Sequence, residues 1–218
     1  MAGFILCAAV PRLVAAQAPR IVASVRVDGA ELYPAGTAAA ATHVLRMTMP
    51  YFSAAGWAPP ALVGAARGAA QILAQCAVRI ASVDLHAIES NPADLHYETA
   101  RSRALARQLQ LPRPAVFFVA ETLQRPAFEA EAIGRSNSRT RPELADTVWI
   151  TRGARDLPIV VAHELVHVLM DSGEHVDAPD NLMREETAPR NTRLDAAQCA
   201  RLRESGTRHG LLQRVEPE

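Results

Sequence analysis

The sequence predicts an α+β domain in which strands and helices alternate around one layered core. Three observations carry this. Several segments alternate apolar and polar residues with a period of two, the pattern of half-buried strands. One run, Ala115 to Ala120 (AVFFVA), is continuously apolar and reads as a strand buried on both faces. One longer segment, ending at Met170, is apolar at nearly every position and reads as a buried helix.

Taken in order, Arg20 to Asp28 (RIVASVRVD) alternates and stops at Asp28-Gly29. His43 to Met49 is a second strand, closed by Pro50. Pro59-Pro60 opens an alanine- and leucine-rich helix reaching about Cys76. Val78 to Ile88 alternates again. Tyr97 to Leu109 is a short arginine-rich helix with a solvated face. After the AVFFVA strand, residues 121–146 are polar, and Glu131 to Ser138 (EAIGRSNS) suits a short edge strand. Thr147 to Thr151 is the last strand. Asp156 is placed to cap the following helix, with Pro158 tolerated in its first turn. A loop from Asp171 to Arg193 leads to a final helix, capped by Asp195 or Thr192 and stopped by Gly206.

The chain has 218 residues, enough for one sizeable core. It divides into a leader-like segment (1–18), an N-terminal strand or extension (19–42) and the domain proper (43–218). Net charge is zero, with 23 basic and 23 acidic side chains, so nothing points to nucleic acid or an acidic membrane. All the basic residues are arginine, which with the abundant alanine reflects a high-GC, bacterial genome rather than a function. No apolar stretch is long enough for a membrane span. The leader ends in Ala16-Gln17-Ala18, a small-x-small cleavage pattern, but lacks a basic start and carries Arg12. The balance favours export, to the periplasm or beyond, over a cytoplasmic location. Once the leader and its Cys7 are set aside, Cys76 and Cys199 remain. They form either a disulfide in an oxidising compartment or two buried thiols, and the sequence leaves both open.

The chemistry concentrates in His163-Glu164-Leu165-Val166-His167. On a helical wheel of about 100° per residue, His167 falls about 40° from His163 and Glu164 about 100° from it. Two imidazoles on one face of a helix can bind one Zn2+ ion, with the glutamate acting as general base on a water held by that metal. A narrow polar wedge on an otherwise apolar, buried helix needs such a partner. A third ligand is required, with the fourth position open. His175 follows a turn containing Gly173 and is preferred. Glu186 has the spacing used when a glutamate on a second helix is the third ligand, but its surroundings run into Pro189 and read as loop. His43, His86, His96 and His209 are isolated. Asp171 and Asp177 flank His175, either as solvated acids or as carboxylates orienting a ligand ring. Glu185 and Glu186 are candidates for the cleft wall. Trp57 and Trp149 read as core.

His163-Glu164-x-x-His167, then Asp171-Ser172-Gly173-x-His175, then Asn181-Leu182-Met183, resembles a metzincin-type zinc peptidase. The resemblance implies a zincin-like fold: a mixed, twisted sheet, an active-site helix and a C-terminal helix from Asp195. It also implies that Met183 forms a methionine turn beneath the metal, and that the edge strand near Glu131 to Ser138 pairs with a peptide or protein substrate. As topology it covers about residues 43 to 205, and as motif 163 to 183. Two departures stand out. The family places glycine three residues after the second histidine and the third histidine six after it, where this chain has Met170 and Gly173. Some groups carry a tyrosine where this chain has Glu185. The resulting expectation is a zinc-dependent endopeptidase. A non-catalytic zinc-containing peptide-binding protein is the competing class, one that would have no need of Glu164.

Overall fold

The computed structural model describes residues 18–34 and 41–215. The leader, apart from its last residue, and positions 35–40 of the extension lie outside the described residues. The principal sheet runs β1 (Arg20–Asp28), β3 (Val78–Glu89), β2 (His43–Tyr51), β5 (Ala115–Phe118), β8 (Thr147–Ile150), β7 (Ala130–Ile133), with β9 (Leu212–Arg214) pairing with β2. β3, β2, β5 and β8 are mutually parallel, while β1 and β7 are antiparallel to their neighbours at opposite ends. The extension therefore supplies a strand at the end of the sheet opposite β7. β4 (His96–Tyr97) and β6 (Glu121–Thr122) form a small second sheet.

The side-chain alternation of β5 and β8 divides the interior into two cores. Val116, Phe118, Val148 and Ile150 point to a face covered by α2 (Pro59–Ala74), α4 (Leu157–Met170) and α5 (Ala196–Arg208). Phe117, Val119 and Trp149 point to the other face, where α3 (Thr99–Leu109) contributes Leu105 and Ala106. Phe117 stacks on Trp149 with ring centroids 4.1 Å apart. A short helix, α1 (Gly29–Leu32), follows β1 and buries Leu32 in the first core. α2 and α4 approach closely: a Cβ at Gly68 would lie 2.4 Å from Cβ of Pro158. Cys76, just past α2, and Cys199, in α5, form a disulfide with Cα atoms 4.9 Å apart. No helix among the described residues is long and apolar enough to cross a membrane.

Several boundaries differ from expectation. Asp156 occupies the N-cap position of α4, its carbonyl accepting from Ile159 and Val160, but it takes a left-handed backbone (φ 48°) and its side chain makes no cap bond. The edge strand is Ala130–Ile133 rather than Glu131 to Ser138, because the chain leaves the sheet at Gly134 and turns, with Ser138 N–H bonding Arg135 O. Asp195 caps α5 in a reciprocal box with Gln198, as expected. Gly206 does not stop that helix, which continues to Arg208. There the missing side chain admits Leu212 and Leu169, which would lie 2.8 and 3.3 Å from a Cβ. β4, β6 and β9 are too short to leave a periodic signal.

Candidate metal centre

All twelve residues of α4 from Ile159 to Met170 are buried, and its polar wedge of His163, Glu164 and His167 is buried with them at the edge of a cleft. After Met170 the backbone turns left-handed at Asp171 (φ 48°), and Ser172 N–H bonds back to His167 O. This is how the late third histidine is accommodated. The helix runs through Met170 and ends at Asp171, and the residues that follow form a loop that returns His175 to the helix.

The three rings meet. Nε2 of His167 lies 2.9 Å from Nε2 of His163 and 3.1 Å from Nε2 of His175, and the third distance is 3.3 Å. Among the described residues these three form a cluster able to hold a metal ion, with donor atoms within 4.8 Å of one another. Glu186 is exposed and is not part of it.

The far ring nitrogens decide the protonation. Nδ1 of His163 lies 2.7 Å from Leu182 O, and Nδ1 of His167 lies 2.7 Å from Ser172 O. A carbonyl only accepts, so both Nδ1 atoms donate, and a neutral ring then presents a bare lone pair at Nε2. Burial lowers the pKa of both histidines, that of His167 to about 4, which keeps the rings neutral near pH 7. The His163–His167 contact therefore sets lone pair against lone pair, an arrangement that a cation between them relieves. A triangle of these sides has a circumradius of about 1.8 Å, within the usual Zn–N distance of about 2.0–2.1 Å, so the three nitrogens lie close enough together to share one ion. The donor set and its spacing fit a divalent ion.

Glu164 is buried beside the triad, and burial pushes its carboxyl up to about 8, with the Glu131 charge adding and a hydrogen bond to the Ala132 backbone opposing. A cation held by the three rings acts in the opposite direction. A cleft of about 280 Å³ contains the triad and Glu164, bounded by Ala130–Ala132 of β7, the 134–137 segment and Glu185.

Met183 is buried in the first core, and its neighbour Leu182 supplies the carbonyl that orients His163. Sequence reasoning missed what holds this turn. Asn181 and Gln198 are both buried and exchange amide hydrogen bonds of 3.0 and 3.2 Å, while Met183 N–H donates to Asn181 Oδ1 at 2.8 Å. The Asp195–Gln198 spacing was a visible capping signal, but nothing in it pointed to Asn181. Asp171 and Asp177 do not orient His175: Asp171 accepts from Ser136, and Asp177 pairs with Arg184. Instead Glu174, next to His175, is tied to Arg201 of α5. Of the remaining histidines, His43 bonds Thr42 and His86 bonds Ser24, and none joins the cluster. Trp57 and Trp149 are buried core residues, as expected. Arg103 and Arg107 of α3 pair with Glu143.

No protein-family model matches the sequence, and no curated protein matches it. The solved structures do offer a match, the crystal structure of metalloproteinase-II from Bacteroides fragilis. The fold is similar to that of a metalloproteinase. The TM-score is 0.55 at 18% sequence identity, over 78% of this chain and 55% of that one. This chain thus spans about half the length of that protein, and at this identity the likeness concerns the fold.

Proposed function

We propose that this chain is a zinc-dependent endopeptidase of the metzincin type. The observation that carries the reading is the convergence of three Nε2 lone pairs beside a buried glutamate, in a cleft bordered by the terminal strand of the sheet. His163, His167 and His175 would hold the ion, and the all-nitrogen donor set suits zinc. When bound, zinc supplies a Lewis acid that acidifies water and polarises a carbonyl. Glu164 accepts the proton of the attacking water and passes it to the leaving amine, and its burial keeps that proton from solvent. An extended peptide lies along β7, which pairs with β8 on one side, and takes main-chain hydrogen bonds from its other side. The Met183 turn supports the site from below through the Leu182 carbonyl on His163. The Cys76–Cys199 disulfide supports an oxidising compartment, in keeping with export.

Glu164→Ala separates this reading from a zinc-containing peptide-binding protein. The variant is expected to keep its metal and to lose hydrolysis of a peptide library by about 10²–10⁴-fold. Hydrolysis that persists at the wild-type rate would remove the enzyme reading.

A further inference from the structure

One side chain joins the metal-bearing helix to the rim of the cleft. Asp171 is the left-handed residue that ends α4. Its Oδ1 accepts hydrogen bonds from the backbone N–H of Ser136 at 3.0 Å and from Ser136 Oγ at 3.1 Å. Gly134 is buried under the same oxygen: a Cβ there would lie 2.5 Å from Oδ1. Gly134, Ser136 and Asn137 line the cleft that contains the three histidines. On its other side the segment is held by Arg135, which pairs with the buried Asp146 at 2.8 Å. The next residue after Asp171, Ser172, gives its carbonyl to His167.

Helix termination alone does not account for an aspartate at this position. A left-handed C-cap is met at lower cost by glycine, and asparagine also tolerates it. What aspartate adds over glycine is the acceptor oxygen directed at Ser136.

We propose that Asp171 is a positioning residue, whose Oδ1 sets the height of the 134–137 rim above the histidine cluster. By that means it sets the geometry in which an extended peptide meets the metal. The inference rests on the peptidase reading above. Asp171 is outside the histidine cluster and borders the cleft beside the rim it holds, so its effect belongs to substrate engagement rather than to the proton transfers.

Three variants test it, with fluorescein-labelled denatured casein as the probe. Asp171→Gly keeps the backbone conformation and removes the acceptor, and is expected to raise KM about five- to tenfold with kcat within about twofold of wild type. Asp171→Asn keeps an acceptor oxygen and is expected to restore KM to within about twofold. Gly134→Ala, which pushes the rim off the oxygen, is expected to reproduce the rise in KM. Metal content stays at the wild-type level in all three. Amide hydrogen exchange at Ser136 is read in parallel: protection falls in Asp171→Gly and returns in Asp171→Asn. The proposal is overturned if KM is unmoved in Asp171→Gly, if Asp171→Asn behaves as Asp171→Gly does, or if the metal is lost with the clamp. An inactive wild type would instead defeat the peptidase reading. In that case polarisation of the labelled casein on Glu164→Ala, with and without Asp171→Gly, decides the clamp: equal affinities overturn it, and weaker binding in the double variant supports it.

Discussion

Replacing both Cys76 and Cys199 by alanine should remove about 4–5 kcal/mol of stability while leaving the metal centre intact. The bridged cysteines are 123 residues apart in sequence, and closing a loop of that length takes about 4.9 kcal/mol of chain entropy out of the unfolded state. The native state needs the bridge less. Gln75, next to Cys76, already bonds Thr192 O and Leu194 N–H, and Arg203 bonds Cys76 O. The junction of α2 and α5 is therefore held by other contacts, and the loss should be felt mainly as a larger unfolded ensemble. Both sulfurs are buried, so alanine leaves only small voids. Guanidinium unfolding of wild type, wild type with reductant, and the double alanine variant measures the effect. For a domain of this size, a loss of that order corresponds to about 10–20 °C in Tm. A difference below about 1 kcal/mol between the oxidised and reduced protein would refute the reasoning. So would two free thiols titrated in protein purified without reductant.

Asn181→Ala strips the Met183 N–H and Gln198 Nε2 of their partner inside the protein and leaves Gln198 Oε1 with the Asp195 N–H, and should cost about 2–4 kcal/mol in denaturant unfolding. Because Leu182 O is fixed by the same turn, the variant should also bind metal more weakly in a competition titration, whereas an unchanged affinity would mean that the turn does not orient His163. Gly68→Ala drives a Cβ into the rigid ring of Pro158 and should destabilise by about 1–3 kcal/mol through separation of α2 from α4. A neutral result in thermal melts would show that the helices have slack there.

The parts of the molecule that were legible in the sequence are those where a local pattern coincides with a long-range demand. The AVFFVA run reads as doubly buried because β5 lies between β2 and β8 with a core on each face. The apolar surround of His163, Glu164 and His167 reads as a buried helix because α4 is buried from Ile159 to Met170. What escaped depends on groups distant in the chain. Asp156 sits at the N-cap position as its residue type suggests, but its left-handed backbone is not the extended one of a capping aspartate and its side chain makes no cap bond. Gly206 resembles a helix stop, yet it is a contact point for Leu212 and Leu169. Asp171 looks like a solvated loop acid, and its partner Ser136 is 35 residues upstream. The Asn181–Gln198 amide pair joins two segments whose proximity only the folded chain reveals.

The central claim is that three imidazole nitrogens share one zinc ion. X-ray absorption on the zinc-loaded protein, together with zinc content per chain, tests it most directly. The account predicts one equivalent, three nitrogen scatterers at about 2.0–2.1 Å, and loss of the metal in His175→Ala but not in Glu186→Ala. Zinc retained by His175→Ala and lost by Glu186→Ala would contradict it, as would a wild-type chain that takes up no zinc.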